Sequence, residues 1–525
     1  MMYEFIQLTA LHILIFGIGI GCYVLILALG KLSNKLSKPQ PRKQLVIENE
    51  REFAIQLLSR VLEQEPNESQ TQSCMHGRTA LPKHAWQNMQ QKVLSIVVAV
   101  CLLQAGKTAL AQADLEWASF QNGGQCSVKQ ELPTTWSEET NQLWQVDIQG
   151  YGQSSPVVVD GGVVVTSTSG EDKDNYHVAC YDLDTGEQLW QQDFGNPTPE
   201  KNSSYVSRAA PSPTVDAAGI VYVNFEGGLV AAISAKGKVL WERNLVEEYG
   251  AIKARHGLAS SLEQNESKLF VWIERMDAPY ILALDKQTGK TAWKVDGVGA
   301  TTWSSPRLVP IEDGSFHLVC SASGKICGFD PENGQRLWDF TEIANNTSCT
   351  PIPLPNGRFL IGASDGRGEQ TLGKGAASNG VVQIAKTETG WKASFVWQAS
   401  KATASFGSPI AHADSAFFVN RSGALFELDL ETGKSKATKR TKAGSVWATP
   451  MVANNMLYVF GRTGTTSVID LASGEEVATN PLWENKQAGG GSSGFGGSVL
   501  YAGAAAKSKL LLRRGDSLYC IGITP

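Results

Sequence analysis

A chain of 525 residues with 46 basic and 51 acidic side chains carries a formal net charge of −5 and has room for a sizeable core. Acids and bases are interspersed after residue 115, which excludes the one-sided basic face that a nucleic-acid partner needs. Gly, Val, Ser and Thr are abundant, Trp is frequent at 14, and helical heptads are missing beyond the first 110 residues, so the bulk of the chain reads as all-β.

In chain order, an uncharged apolar stretch comes first, "LHILIFGIGIGCYVLILALG" from Leu11 to Gly30, long enough for a transmembrane helix. Lys31, Lys35, Lys38, Arg42 and Lys43 follow it and assign its C-terminal end to the cytoplasm. "REFAIQLLSRVLEQE", Arg51 to Glu65, spaces Phe53, Leu57, Leu58, Val61 and Leu62 as one face of a helix, either a linker helix or a partner helix. "PNESQTQS" has the composition of disorder. A second, shorter apolar run, Val93 to Ala105, lies between Lys92 and Ala109-Leu110-Ala111, the anatomy of a signal peptide over 89–111.

Met89 would open a signal of ordinary length and Met75 a longer one, so residues 1–88 read as an N-terminal extension partly outside the mature protein. Neither Cys22 nor Cys101 sits in a lipobox, because apolar residues continue past each. The expected plan is an extension over 1–88, a signal over 89–111, an arm over 112–140 and a β domain over 141–525. Export to the periplasm or cell envelope follows, with membrane association only through the N-terminal segment if that is retained.

Within the β domain a turn recurs. "YDLDTGEQLW" (Tyr181 to Trp190) is echoed by "ALDKQTGKTAW" up to Trp293, "GFDPENGQRLW" up to Trp338 and "ELDLETGK" from Glu427. Its glycine falls at Gly186, Gly237, Gly289, Gly334, Gly390, Gly433 and Gly474, a period typical of propellers and solenoids. A Ser-Pro or Thr-Pro landmark stands upstream of most of them, at Ser155-Pro156, Ser212-Pro213, Ser305-Pro306, Thr350-Pro351, Ser408-Pro409 and Thr449-Pro450.

Each unit spells four strands joined by tight turns, Asp160-Gly161-Gly162 among them. The apolar runs do not alternate cleanly, so both faces of each small sheet should be covered, as in a radial stack of blades. The outermost strand ends in Leu-Trp, whose indole can cover the seam to the next blade. "NQLWQVDI" supplies a fourth strand without its first three, and "GSVLYAGAAAKSKLLLRRGDSLYCIG" supplies three without a fourth. Together they make a composite blade that closes the ring and removes free edges. The expectation is an eight-bladed β-propeller of four-stranded antiparallel blades; seven blades would follow if Gly362 to Gly390 did not form a whole one.

The turn "YDLDTGEQLW" with its upstream Ser-Pro strand resembles the pyrroloquinoline quinone (PQQ) repeat. That blade is found in quinoprotein dehydrogenases and in the outer-membrane assembly lipoprotein of the Bam complex. The resemblance spans about residues 141–525, and the leader "LEWASFQNGG" with "LPTTWSEETNQLWQV" is similar to that of exported bacterial PQQ-like propellers. For the dehydrogenases it implies PQQ under an adjacent Cys-Cys disulfide, above Ca²⁺ held by Glu, Asn and Asp. This chain has no Cys-Cys pair and no recognisable carboxylate set, so no catalytic residue, metal site or cofactor is expected. PQQ with Ca²⁺ belongs to the alternative reading of a quinone or carbohydrate-active propeller enzyme.

Cys126, Cys180, Cys320, Cys327, Cys349 and Cys520 follow the signal, an even set that permits disulfides. Cys320 and Cys327 would face each other across a Ser323-Gly324 hairpin, at a hydrogen-bonded pair where a bridge is not favoured; Cys180 and Cys520 occupy equivalent third-strand positions. His177, placed before a strand, reads as structural, and the glycine-rich Gly489 to Gly497 as a flexible connection into the last blade.

The functional signal is positional. Loops leading into the innermost strands converge on one mouth of the central channel, carrying Tyr151, Trp303, Phe406, Trp447 and, by analogy, Phe495. Two longer loops add Tyr205 with Arg208, and Tyr249, Lys253 and Arg255 with His256. An aromatic and basic rim can grip a peptide, a sugar or an anion; the same aromatics could instead fill seams between inner strands. Arg208 and His256 are the hardest to explain as packing. The expectation is a monomeric, non-catalytic scaffold with a protein or peptide partner at this face, in a role such as outer-membrane protein assembly.

Overall fold

The computed structural model describes residues 116–299, 302–365, 375–483 and 498–523. The apolar stretches at 11–30 and 93–105, the helix at 51–65, the signal peptide and Phe495 all lie outside these residues. Among the described residues no helix is long and apolar enough to cross a membrane.

Eight antiparallel sheets form a propeller, seven of them with their blade strands in sequence order. Blade 1 runs Val157–Val159, Gly162–Ser169, Asn175–Asp182 and Gln188–Gly195 from the axis outward. Blades 2 to 7 occupy 214–244, 263–296, 307–340, 352–398, 410–440 and 451–481. Blade 8 is the composite: Leu500–Ala506, Lys509–Arg514 and Ser517–Gly522, completed by Gln142–Asp147. Trp144 lies opposite Cys520 and Asp147 opposite Ser517, so the two ends of the domain pair and the ring closes. The region around Gly362 to Gly390 belongs to a whole blade, the fifth.

The first three strands of each blade are largely buried and the fourth is half-exposed, for example buried throughout Val221–Asn224 but mixed in Val239–Asn244. Sheets covered on both faces need continuous apolar runs, which explains the missing alternation.

The two landmarks of the repeat have separate tasks. The Ser or Thr before each first strand accepts a hydrogen bond from its counterpart's backbone N–H in the preceding blade. The chain of contacts runs Ser155 to Ser212 (2.8 Å), Ser212 to Ser261 (3.0 Å), Ser261 to Ser305 (2.9 Å), Ser305 to Thr350 (2.9 Å), Thr350 to Ser408 (2.9 Å) and Ser408 to Thr449 (3.1 Å). This girdle links seven blades around the axis. Ser261 belongs to it although Leu262, not proline, follows.

The Asp turn works from the outside. The Asp182 carboxylate accepts from the Thr185 backbone N–H (2.8 Å), the Asp184 N–H and the Thr185 hydroxyl, and these bonds, the Thr185 amide foremost, hold its pKa below the usual range. Gly186 takes φ 77° there, and a Cβ on it would lie 2.8 Å from the Trp144 indole of the preceding blade. The same ring-on-glycine contact joins Trp190 to Gly237, Trp241 to Gly289, Trp293 to Gly334 and Trp397 to Gly433. In each case the indole Nε1–H donates to a carbonyl of the same turn, at 2.8–3.2 Å. The tryptophans therefore do cover the seams, but four of the five do so from near the start of the outer strand and not its end: Trp190 is third in Gln188–Gly195, whereas Trp397 is next to last in Gly390–Gln398.

Residues 116–128 run across the axis as a plug. The Trp117 carbonyl accepts from Val158 N of blade 1 and the Ala118 carbonyl from Val215 N of blade 2. Buried Gln121 donates to Ser408 Oγ (3.0 Å) and Thr449 Oγ1 (2.8 Å), while Arg307 of blade 4 donates to the Phe120 carbonyl. Ser127–Val128 then adds a parallel strand to Met451–Ala453 of blade 7.

Cys320 and Cys327 are direct cross-strand partners, and all six cysteines among the described residues are buried free thiols. His177 lies within Asn175–Asp182, not before it, and is structural: its ring meets Asp193 Oδ1 at 2.7 Å and Ser169 Oγ at 2.8 Å.

Candidate functional site

Strand direction fixes two unlike faces. One carries the turns between first and second and between third and fourth strands; the other carries the loops that lead into each new blade. Tyr151, Tyr205, Arg208, His256, Trp303, Phe406 and Trp447 all lie on loops of the second kind.

Five of them form a continuous arc. The Arg208 guanidinium lies 3.5 Å from the Tyr151 ring centroid, a cation–π contact. The Tyr151 hydroxyl meets that of Tyr501 at 2.9 Å, and Gln153 ties the group together: its Oε1 accepts from Arg208 N and its Nε2 donates to Tyr501 Oη. Burial, then Tyr501, raises the Tyr151 pKa. Along the same loop, exposed Tyr205 offers its carbonyl to His256 Nδ1 at 3.0 Å, and the His256 ring lies 5.9 Å from that of Trp303. Trp303 N donates to the Thr347 carbonyl. His256 has φ 146°, a backbone conformation that side-chain-bearing residues rarely adopt.

Phe406 and Trp447 make a separate pair on blades 6 and 7, in edge contact at 5.2 Å, with Arg421 over the first ring and Arg462 over the second. The aromatics thus pack on one another as well as line the rim, whereas the Arg208 side chain forms no ion pair among the described residues.

Two buried carboxylates hold the arc in place. Glu226, just beyond Val221–Asn224, accepts from Ala209 N at 3.1 Å next to Arg208. Glu274, just beyond Lys268–Ile273, accepts from Ala259 N at 3.3 Å three residues after His256. Burial raises both pKa values, that of Glu274 well above the carboxylate range. Glu226 also meets Lys173, a fully buried lysine that donates to Glu200 Oε1 (2.7 Å) and to the Ser207 carbonyl (2.9 Å). The only signal for these residues in the sequence is a charge set against an apolar strand, in "VYVNFEGG" and "FVWIERMD". Tyr501, in the tail strand of blade 8, had no signal at all.

Below Tyr501 the plug forms a floor. A cavity of about 30 Å³ separates Tyr501 and Ala502 from Phe120, Gln121 and Cys126. Among the described residues no three His, Cys, Asp or Glu side chains converge as a metal ion would require.

Closed eight-bladed ring, Ser/Thr girdle and Trp-on-Gly seams together define a propeller of PQQ-type repeats with an aromatic and basic rim. The family described as outer membrane protein assembly factor BamB matches residues 130–272, 174–439 and 378–512, and the chain belongs to it. It is 23% identical over 220 residues to the outer membrane protein assembly factor BamB of Shewanella oneidensis, covering 41% of this chain and 49% of that protein. The Alkalilimnicola ehrlichii BamB is 25% identical over 217 residues, 41% of this chain and 50% of that one. The chain thus spans about half the length of the curated relatives it matches.

Among solved structures it is similar to BamB from Moraxella catarrhalis, with a TM-score of 0.51 at 12% identity over 73% of this chain and 97% of that one. Quinohemoprotein alcohol dehydrogenase from Comamonas testosteroni gives 0.50 at 13% identity, over 80% and 84%. At such identities the likeness is one of fold.

Proposed function

We infer that the chain is an exported, non-catalytic binding scaffold of the cell envelope that grips a protein or peptide partner at the Tyr151–Trp303 arc and serves outer-membrane protein assembly. Family membership supports the general role. One observation carries the site: His256 is exposed and held at a strained φ by loops that buried Glu226 and Glu274 anchor from below. Strain maintained by such supports marks functional positions more often than loops that merely close a blade. Arg208, stacked on Tyr151 with its Nε–H buried, keeps its terminal N–H groups for a carboxylate or carbonyl of the partner. No metal or cofactor has a part in this reading.

The test is photocrosslinking in the native cell, with a photoreactive residue in place of Tyr205. We expect an adduct with an envelope protein that disappears in Arg208→Ala/His256→Ala, while the melting temperature of that variant stays within about 2 °C of the parent. A large fall in melting temperature would make these two side chains structural. Saturable uptake of PQQ with Ca²⁺ and dye reduction by the purified chain would establish the enzyme alternative instead.

A further inference from the structure

On the opposite face, a groove of about 1180 Å³ opens between blades 3, 4 and 5. Its apolar lining includes Phe316, Leu337, Trp391 and Pro331, and Gly123 of the plug also borders it. Phe316 is 47% exposed, a large ring left in solvent at the start of a buried strand. The charged side chains that line the groove are Glu263, Glu266, Asp330 and Glu332; no Lys or Arg is among the lining residues. Glu263 is buried against Arg307 and Glu332 pairs with Lys268, whereas Glu266 and Asp330 form no ion pair among the described residues.

We propose that this groove is a second docking site, which takes an extended peptide segment of a partner protein with apolar residues alternating with lysine or arginine. The volume exceeds the roughly 300–1,000 Å³ of small-molecule pockets, and the site is an open trough. An extended chain presents alternate side chains to opposite sides. Apolar ones seat on Phe316, Trp391 and Leu337, and the intervening cations face Glu266 and Asp330. An acidic peptide would meet Glu266 and Asp330, the two lining carboxylates without an ion pair among the described residues, so the charge selects the sign of the partner. The site shares no residue with the Tyr151–Trp303 arc and does not depend on it.

The probe is a fluorescein-labelled peptide Lys-Leu-Lys-Val-Lys-Leu-Lys, followed by anisotropy with the full chain, beside an analogue with Glu for every Lys. We expect saturable binding of the first peptide only, weakened by added salt. Phe316→Ser and, separately, Glu266→Lys/Asp330→Asn should each weaken it at least about tenfold, while Arg208→Ala/His256→Ala leaves it unchanged. Phe316 and Glu266 are exposed, and Asp330→Asn keeps an Oδ1 that can accept from Glu332 N, so these variants should fold, which the melting temperature checks. Equal binding of the Glu analogue, parental affinity in both groove variants, or loss of binding in the arc variant would each overturn the proposal.

Discussion

Five of the propeller's eight seams are built alike, and of the three that are not, the one between blades 4 and 5 has a construction of its own. Between blades 8 and 1, for instance, an indole lies flat on a turn glycine and bonds the turn's backbone, so each blade locks onto the next through one side chain. Between blades 4 and 5 the lock is missing because the fifth blade turns from its third to its fourth strand through Glu388-Thr389 alone. No Asp-led turn is there to receive Trp338. Its indole lies over Gly328 and donates to His317 Nδ1 at 3.1 Å, both in blade 4, and stacks across the seam on Phe359 of blade 5. Trp391 closes on His317 edge to face at 4.5 Å, and the outer strands Arg336–Phe340 and Gly390–Gln398 pack directly on each other. The seam is thus held by an aromatic cluster around a histidine, and the acidic groove lies beside it. A repeat protein acquires surface features where its repeat is interrupted, because identical seams leave identical surfaces.

The largest test of this contrast removes a regular lock. Trp241→Ala deletes an indole that covers Gly289 and donates to the Lys286 carbonyl, and should cost about 3 kcal/mol, the lower end for a tryptophan because this one is half-buried. Urea unfolding measures it. A loss below about 1 kcal/mol would mean that the blades hold together without their indoles.

The irregular seam should respond to acid instead. Burial pushes the His317 pKa down to about 4, against the pull of Asp313 and Asp330. Its Nδ1 must stay unprotonated to accept from Trp338. Below about pH 6.5 the unfolded chain takes up a proton that the folded chain refuses. The contribution is therefore complete above that pH and is lost as the pH falls towards 4. Allowing for solvent screening at the groove, the loss should be about 2 kcal/mol. His317→Gln retains an acceptor for Trp338 but does not titrate. Its stability should fall less than the parent's over this window; identical pH profiles would remove the histidine from the seam.

Legibility in the sequence followed the same division. The closed ring, the Asp turns and the seam tryptophans could be read because each recurs with fixed chemistry. Ser261 escaped because the proline that flags its fellows is absent, although the girdle needs only the hydroxyl. Glu226 and Glu274 escaped for a different reason: a glutamate after a strand is written identically whether it faces water or bonds a buried backbone N–H. The groove arises from what blade 5 lacks, and a missing turn leaves no motif to find. Of the rim, the order of loops along the chain was legible, but not that Arg208 would stack on Tyr151, a contact between residues far apart in sequence.

The smallest expected effect isolates the lock itself. Gly289 and Gly474 occupy the same place in their turns, with φ 69° and 71°. A Cβ on Gly289 would sit 2.8 Å from the Trp241 ring, whereas one on Gly474 would meet nothing within 4 Å, since the outer strand Ser435–Arg440 of blade 6 has no tryptophan. Alanine at either position incurs the left-handed backbone penalty, roughly 1 kcal/mol. Only Gly289→Ala must also displace an indole, which adds about 1 kcal/mol of overpacking. The excess should vanish when Gly289→Ala is combined with Trp241→Ala, because the ring it strikes is gone, and a double-mutant cycle reads that coupling directly. Equal costs for the two alanines in the parent background would mean that the indole yields freely. The glycine would then be required by backbone conformation alone, and the difference between regular and irregular seams would have to come from the aromatic cluster.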